Sequence, residues 1–298
     1  MSCNEAKISL TPDKYHELLL EKKRKDFRSL NFFVMDDTLQ RCQNDPDLIE
    51  AISLSIQNQR IYYGDEVLPC EPENRGLTNV WLTPLRSFEI LDYTSSDPKK
   101  TAVLNFANNH HVGGSPWSAG AQEESLCRCS TLYPCLKDAE PRYHALHRKQ
   151  YEEGVLDYWG NDDIIYTTGV RVIKTDESAP RLLDPEKRKW VNIITCAAPQ
   201  LSPREPLDRE KFKRVMSRRI ERILQVAKLN GNETIILGAF GCGAFHNPPE
   251  LVAEIFKEQL GRCYFPRPYF AIFDREERPD NNLHTFERVF GIEAIDPR

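Results

Sequence analysis

Two adjacent carboxylates, Glu123 and Glu124, follow a glycine-containing run in the segment LNFANNHHVGGSPWSAGAQEESLCRC. Glutamates can give and take protons during bond cleavage, so the pair is a candidate for acid–base chemistry. Leu126, Cys129, Leu132, Tyr133 and Leu136 recur at helical spacing, and a helix is expected to start near Ala121. Neighbouring residues on a helix point ~100° apart, so the two carboxylates do not face each other across one bond. A glycosidase with opposed carboxylates ~5–9.5 Å apart is a poor fit. One acid–base glutamate beside one positioning glutamate fits better. Carboxylates in a first helical turn also complement the helix dipole, and that structural role stands as the alternative.

Gly113 and Gly114 lie upstream of this pair, and TIILGAFGCGAFHNPP brings Gly238, Gly241 and Gly243 to a second loop. Glycines between a strand and a helix let backbone N–H groups approach a phosphate, or merely allow a tight turn. Two such loops in one domain fit a diphosphate held from two sides. His110 and His111 have no acidic or cysteine partner at metal spacing, so loop hydrogen bonding is expected and a metal site is not. The nine cysteines are odd in number and contain no Cys-x-x-Cys pair. Cys127, Cys129 and Cys135 fit no common zinc spacing, which points to reduced, mostly buried thiols. Neither a Gly-x-Ser-x-Gly elbow nor a P-loop lysine motif is present.

These residues need a scaffold, and the chain is long enough to supply one. Its 298 residues, 40% apolar and 10% aromatic, argue against disorder and for one large domain or two small ones. No apolar run approaches the ~18 residues that span a bilayer. The net charge of −5 argues against broad, charge-driven nucleic-acid binding but leaves room for a small anionic ligand. The opening MSCNEAKISL lacks the pattern of a secretory leader, so a cytoplasmic or nuclear chain is expected. The basic run Lys22–Lys25 is either a nuclear signal or a solvated helix face.

The first hundred residues read as irregular and partly helical. One helix is expected from Thr11-Pro12 and another from Asp45-Pro46, each a cap followed by a first-position proline. Short strands are expected around Val80–Leu82 and Phe88–Leu91. From residue 101, apolar β-branched runs at Thr101, Asp163, Val191, Thr234 and Tyr269 alternate with helix patterns at about 121–137, 140–153, 207–230 and 248–260. Continuous apolar strands between helices indicate a sheet covered on both faces, in a three-layer α/β domain. Ligands of such sheets bind beyond the carboxyl ends of the strands.

The stretch LNFANNHHVGGSPWSAGAQEESLCRCSTLYP resembles the signature of the microbial-type poly(ADP-ribose) glycohydrolases, in which a glycine cluster and a short interval precede Gln-Glu-Glu. The loop LGAFGCGAFHNPP is similar to the family's second phosphate-binding loop. This resemblance implies a macrodomain-like α/β/α sandwich with a mixed sheet over residues 79–298, preceded by an N-terminal helical accessory region over 1–78. It implies hydrolysis of ribose–ribose O-glycosidic bonds in poly(ADP-ribose), releasing ADP-ribose and reversing ADP-ribosylation, as in a DNA damage response. Glu124 matches the catalytic glutamate and Glu123 its positioning neighbour. Asn105 matches a ribose contact, Gln122 belongs to the same loop, and Gly113 and Gly114 approach the ligand. Gly241, Cys242, Gly243 and Ala244 match a diphosphate cradle, and Phe245 an aromatic packed on ADP-ribose. The implied partners are poly(ADP-ribose) or ADP-ribose and poly(ADP-ribosyl)ated proteins, with no cofactor, metal, membrane or direct DNA contact. Val112 stands where the family usually has its first glycine, and a side chain there is expected to restrict φ and add bulk beside the ligand. The alternatives are an ADP-ribose reader without turnover and a hydrolase of mono-ADP-ribose derivatives.

Overall fold

A computed structural model describes residues 11–69, 79–94, 97–274 and 281–298. Three helices come first: α1 (Pro12–Lys25), α2 (Phe27–Asn44) and α3 (Pro46–Gln57). Thr11 and Asp45 cap α1 and α3 ahead of their prolines, as their sequences foretell. Asp26 caps α2 by accepting from the N–H groups of Arg28 and Ser29, both at 3.1 Å. The chain continues through β1 (Arg60–Tyr62), β2 (Trp81–Thr83), β3 (Thr101–Phe106), α4 (Gln122–Cys129), α5 (Leu132–Ala139) and α6 (His144–Glu152). The last elements are β4 (Ile164–Val172), β5 (Lys189–Cys196), α7 (Arg209–Leu229), β6 (Thr234–Leu237), α8 (Pro249–Arg262), β7 (Arg267–Ala271) and α9 (Asn282–Phe290).

The strands form one mixed sheet in the order β1-β4-β5-β3-β6-β7-β2. β4 runs antiparallel to both neighbours, while β5, β3, β6, β7 and β2 are parallel. Alternation along each strand feeds two apolar layers. Ala102, Leu104, Ile194, Ile235 and Leu237 pack with α7, α8 and α9; Val103, Val191, Ile193 and Ile236 pack with α4 and α5. The α/β/α architecture is therefore the one expected. The expected division after residue 78 falls at the edge of a segment outside the described residues. Residues Arg60–Tyr62 already form an edge strand of the sheet.

Local expectations need three corrections. The segment expected as a strand at Phe88–Leu91 is instead a 3-10 turn, Glu89–Asp92. The helix expected over 121–137 breaks into α4 and α5, because Ser130 is extended and bridges to Val172. There the Thr131 N–H donates to Arg171 O at 2.9 Å, extending the sheet between the two helices. The helix expected from about 248 starts at Pro249, with no side-chain cap from Asn247. The Asn247 Nδ2 instead donates to Pro199 O and Gly241 O, both at 2.9 Å, bracing the second glycine loop.

The N-terminal helices attach to the domain through buried polar groups. Lys174, fully buried just after β4, donates to Val34 O at 2.9 Å and Thr38 Oγ1 at 2.6 Å on α2. It also pairs with Asp37 at 2.8 Å, while Arg41 meets the same carboxylate at 3.0 Å. Burial opposes ionisation of Asp37, but Lys174 and Arg41 outweigh it and hold its pKa below the usual value. Breaking one partner of a buried pair typically costs about 3–5 kcal/mol. Lys174→Ala is expected to lose stability of that order in urea denaturation, whereas a surface-bridge variant such as Arg142→Ala should change it by less than about 1 kcal/mol.

Candidate active site

The carboxyl ends of β3 and β6 open on a cavity of about 350 Å³. Its lining includes Asn108, the start of α4 from Gln122 to Ser125, and Gly241, Gly243, Ala244 and Phe245. α4 opens here with no side-chain cap, leaving its positive dipole end on the cavity. Gly243, Ala244 and Phe245 contribute N–H groups that, among the described residues, donate to no protein acceptor. A Cβ on Gly243 would meet nothing within 4 Å, so packing does not require glycine there. Open space next to free amides is what an approaching diphosphate needs. Gly241 differs: its φ is +76° and a Cβ would lie 2.1 Å from Asn247 Nδ2.

Loop 108–115 wraps the two glutamates. The Asn108 N–H donates to Glu123 Oε2 at 2.7 Å, and the Ser115 N–H donates to Glu124 Oε1 at 3.1 Å. Gly114, at φ +66°, runs so close that a Cβ would lie 2.3 Å from Glu124 Oε1 and 3.2 Å from Glu123 Oε2. Glycine is needed there for both conformation and space. Glu124 Oε2 is buried and has no hydrogen-bond partner, while its residue lines the cavity. One oxygen is thus fixed by the protein and the other has no partner in it. Burial, with the Glu124 charge adding to it, pushes the Glu123 carboxyl well above its usual pKa. Hydrogen bonds from Asn108 and Asn105 oppose that shift.

Several of the expected ligand contacts have partners within the protein. Asn105 is fully buried and absent from the cavity lining; its Nδ2 donates to Glu123 Oε1 and Thr195 Oγ1, both at 3.2 Å. Strand alternation from Val103 puts it on the α4 face, behind Glu123. Gln122 lines the cavity, but its amide is spent on structure, accepting from Phe106 N–H at 2.9 Å and donating to Leu104 O at 2.7 Å. Gly113 packs against Cys127 and Tyr133, and Cys242 against the apolar layer on the α8 side, so neither lines the cavity. Val112 corrects the expectation most clearly. Its side chain is buried among Leu126, Cys127 and their neighbours, away from the cavity. Among the described residues only His246 combines a side chain with positive φ, so Val112 has no left-handed strain to bear.

The structure adds residues that the motifs did not show. Arg86 lies over Phe273, 4.1 Å from the ring centroid, and both line the cavity. Asp176, also on the lining, accepts from Ser125 Oγ at 2.6 Å and Phe88 N–H at 3.1 Å, tying α4 to the segment after β2. Only Asn108 carried a legible signal. Its Oδ1 accepts from His110 and His111 N–H groups, both at 2.9 Å, in the local turn asparagine favours.

A mixed sheet with a buried carboxylate and a loop of open amides at its carboxyl end defines a macrodomain-like class of fold and site. The family model for the microbial-type PARG catalytic domain matches residues 36–175. A poly(ADP-ribose) glycohydrolase from Thermomonospora curvata superposes with a TM-score of 0.73 at 26% identity, covering 87% of this chain and 99% of that one. The same bacterial enzyme bound to the inhibitor ADP-HPD gives 0.72 at 25%, over 87% and 98% of the two chains. A point variant of the Deinococcus radiodurans enzyme, in complex with ADP-ribose, gives 0.67 at 30% identity, over 80% and 96%. No curated protein matches the sequence. The chain belongs to the microbial-type poly(ADP-ribose) glycohydrolase family.

Two outcomes follow from this geometry. Val112→Gly removes a buried side chain and loosens the backbone, so it should lose about 2–4 kcal/mol in denaturant melts and gain no ligand affinity. For Glu123, a folded pKa above the unfolded one means the native state binds the extra proton. Its stabilising contribution is present below the ordinary glutamate range and lost as pH rises through the folded pKa. Urea melts across pH 4–8 should show wild-type stability falling relative to Glu123→Gln as pH rises.

Proposed function

We propose that this protein hydrolyses the ribose–ribose O-glycosidic bonds of poly(ADP-ribose) and releases ADP-ribose. The diphosphate lies against the amides of Gly243, Ala244 and Phe245, with Phe245 packed on the nucleotide. The uncapped start of α4 faces the same negative charge. This placement brings the terminal ribose to Glu124. Its free Oε2 delivers a proton to the leaving ribose oxygen as the glycosidic bond breaks and oxocarbenium character develops. The resulting carboxylate then takes a proton from the incoming water. Glu123, held from behind by Asn105 and from the side by Asn108, positions the ribose and does not exchange the reacting proton. The polymer on poly(ADP-ribosyl)ated proteins is the corresponding macromolecular substrate.

The observation that carries this reading is the unequal treatment of Glu124's two oxygens: Oε1 is bonded to the Ser115 N–H, and Oε2 is buried and unpartnered in a residue that lines the cavity. A purely dipole-complementing glutamate would not need an unsatisfied buried oxygen, which is costly to maintain. Glu124→Gln keeps the shape and removes the transferable proton. It is expected to lower turnover of labelled poly(ADP-ribose) about 10²–10⁴-fold with little change in ADP-ribose affinity. Wild-type binding of ADP-ribose without polymer cleavage would instead make the protein a reader.

A further inference from the structure

A cluster of aromatic side chains stands beside the catalytic loop and takes no part in the site described so far. The His110 and Tyr151 rings lie 5.1 Å apart, and Tyr151 and Tyr158 lie 5.0 Å apart. Tyr158 remains 57% exposed. Both ends of the cluster are tied to the loops that bound the cavity. At one end Arg148 Nη1 donates to His110 O at 2.5 Å, two residues from Asn108. At the other, Gln200 N–H donates to Tyr158 O at 2.9 Å, and the next residue, Leu201, bonds to Phe245 O at 3.0 Å. Lys211 adds a cation next to Tyr158, 4.3 Å from the Trp159 ring centroid and 3.5 Å from its partner Asp157.

We infer that Tyr151 and Tyr158 form a stacking platform for the adenine of the polymer unit next to the one being removed. The inference rests on the proposed glycohydrolase reading. In that reaction the leaving ribose belongs to the next unit and carries that unit's adenine, which must emerge beside Glu124. Loop 108–115 wraps Glu124, and His110 on that loop starts the aromatic cluster. A tyrosine face takes any base by stacking, and a neighbouring lysine suits the phosphates that follow. The platform would favour polymer over free ADP-ribose without touching the reacting atoms.

The test measures binding, separately from turnover. In the Glu124→Gln background, Tyr158→Ala should weaken binding of fluorescent poly(ADP-ribose) about tenfold and leave ADP-ribose affinity, measured by calorimetry, unmoved. Tyr158→Phe, which keeps the ring, should restore polymer affinity. Unchanged polymer affinity in a Tyr151→Ala/Tyr158→Ala double variant would overturn the platform, as would an equal loss of polymer and ADP-ribose affinity. Failure of the glycohydrolase reading shows elsewhere, as an absence of polymer cleavage by the wild-type protein.

Discussion

The site depends on two backbone N–H groups reaching two adjacent carboxylates from one loop. Asn108 and Ser115 bracket Glu123 and Glu124, and Gly114 passes between with no room for a side chain. Without that wrap, neighbouring glutamates on a helix would diverge into separate environments. With it, one carboxyl is enclosed with both oxygens bonded, and the other keeps a single unpartnered oxygen. The difference between the two carboxylates comes from where two amides point, since the residue types are identical.

Much of the remaining structure holds that loop in place. His147 and Arg148 on α6 reach the backbone carbonyls of Asn109 and His110, at 3.3 Å and 2.5 Å, and His147 is itself held by Asp163 at 2.8 Å. On the other flank, Asn31 of α2 donates to Ser118 O and Ala119 O, both at 3.1 Å. Arg128 of α4 reaches Pro116 O and Ala119 O at 2.9 Å and 2.7 Å. Charge-assisted bonds to backbone carbonyls fix an irregular segment that has no ladder of its own. The N-terminal helices thus support the catalytic loop through hydrogen bonds, and their attachment at Lys174 belongs to the same support.

What the sequence revealed was what local chemistry encodes. The strands from Thr101 onward announced themselves as apolar runs, and the two glycine loops followed directly from them. Helix α2 was illegible for a physical reason: its buried face carries Asn31, Asp37, Thr38 and Arg41 among Leu30, Val34 and Met35. A helix that docks through polar groups leaves no clean apolar stripe to read. Val112 shows the opposite failure. Its position in the glycine cluster suggested a ligand contact, but spacing within a loop does not say which way a side chain turns. Asn105 shares a strand face with Val103, but alternation alone does not say which face meets the helix. Arg86, Asp176 and Phe273 reach the cavity from distant segments, and nothing in their own surroundings signals it.

A crystal structure with ADP-ribose bound decides whether Glu124 Oε2 is the oxygen reserved for the scissile linkage. The diphosphate is expected on the amides of Gly243, Ala244 and Phe245, and the terminal ribose within hydrogen-bond reach of Glu124 Oε2, with Oε1 still bonded to Ser115. A ribose lying out of reach of Glu124, or a diphosphate bound away from the second glycine loop, would contradict that expectation.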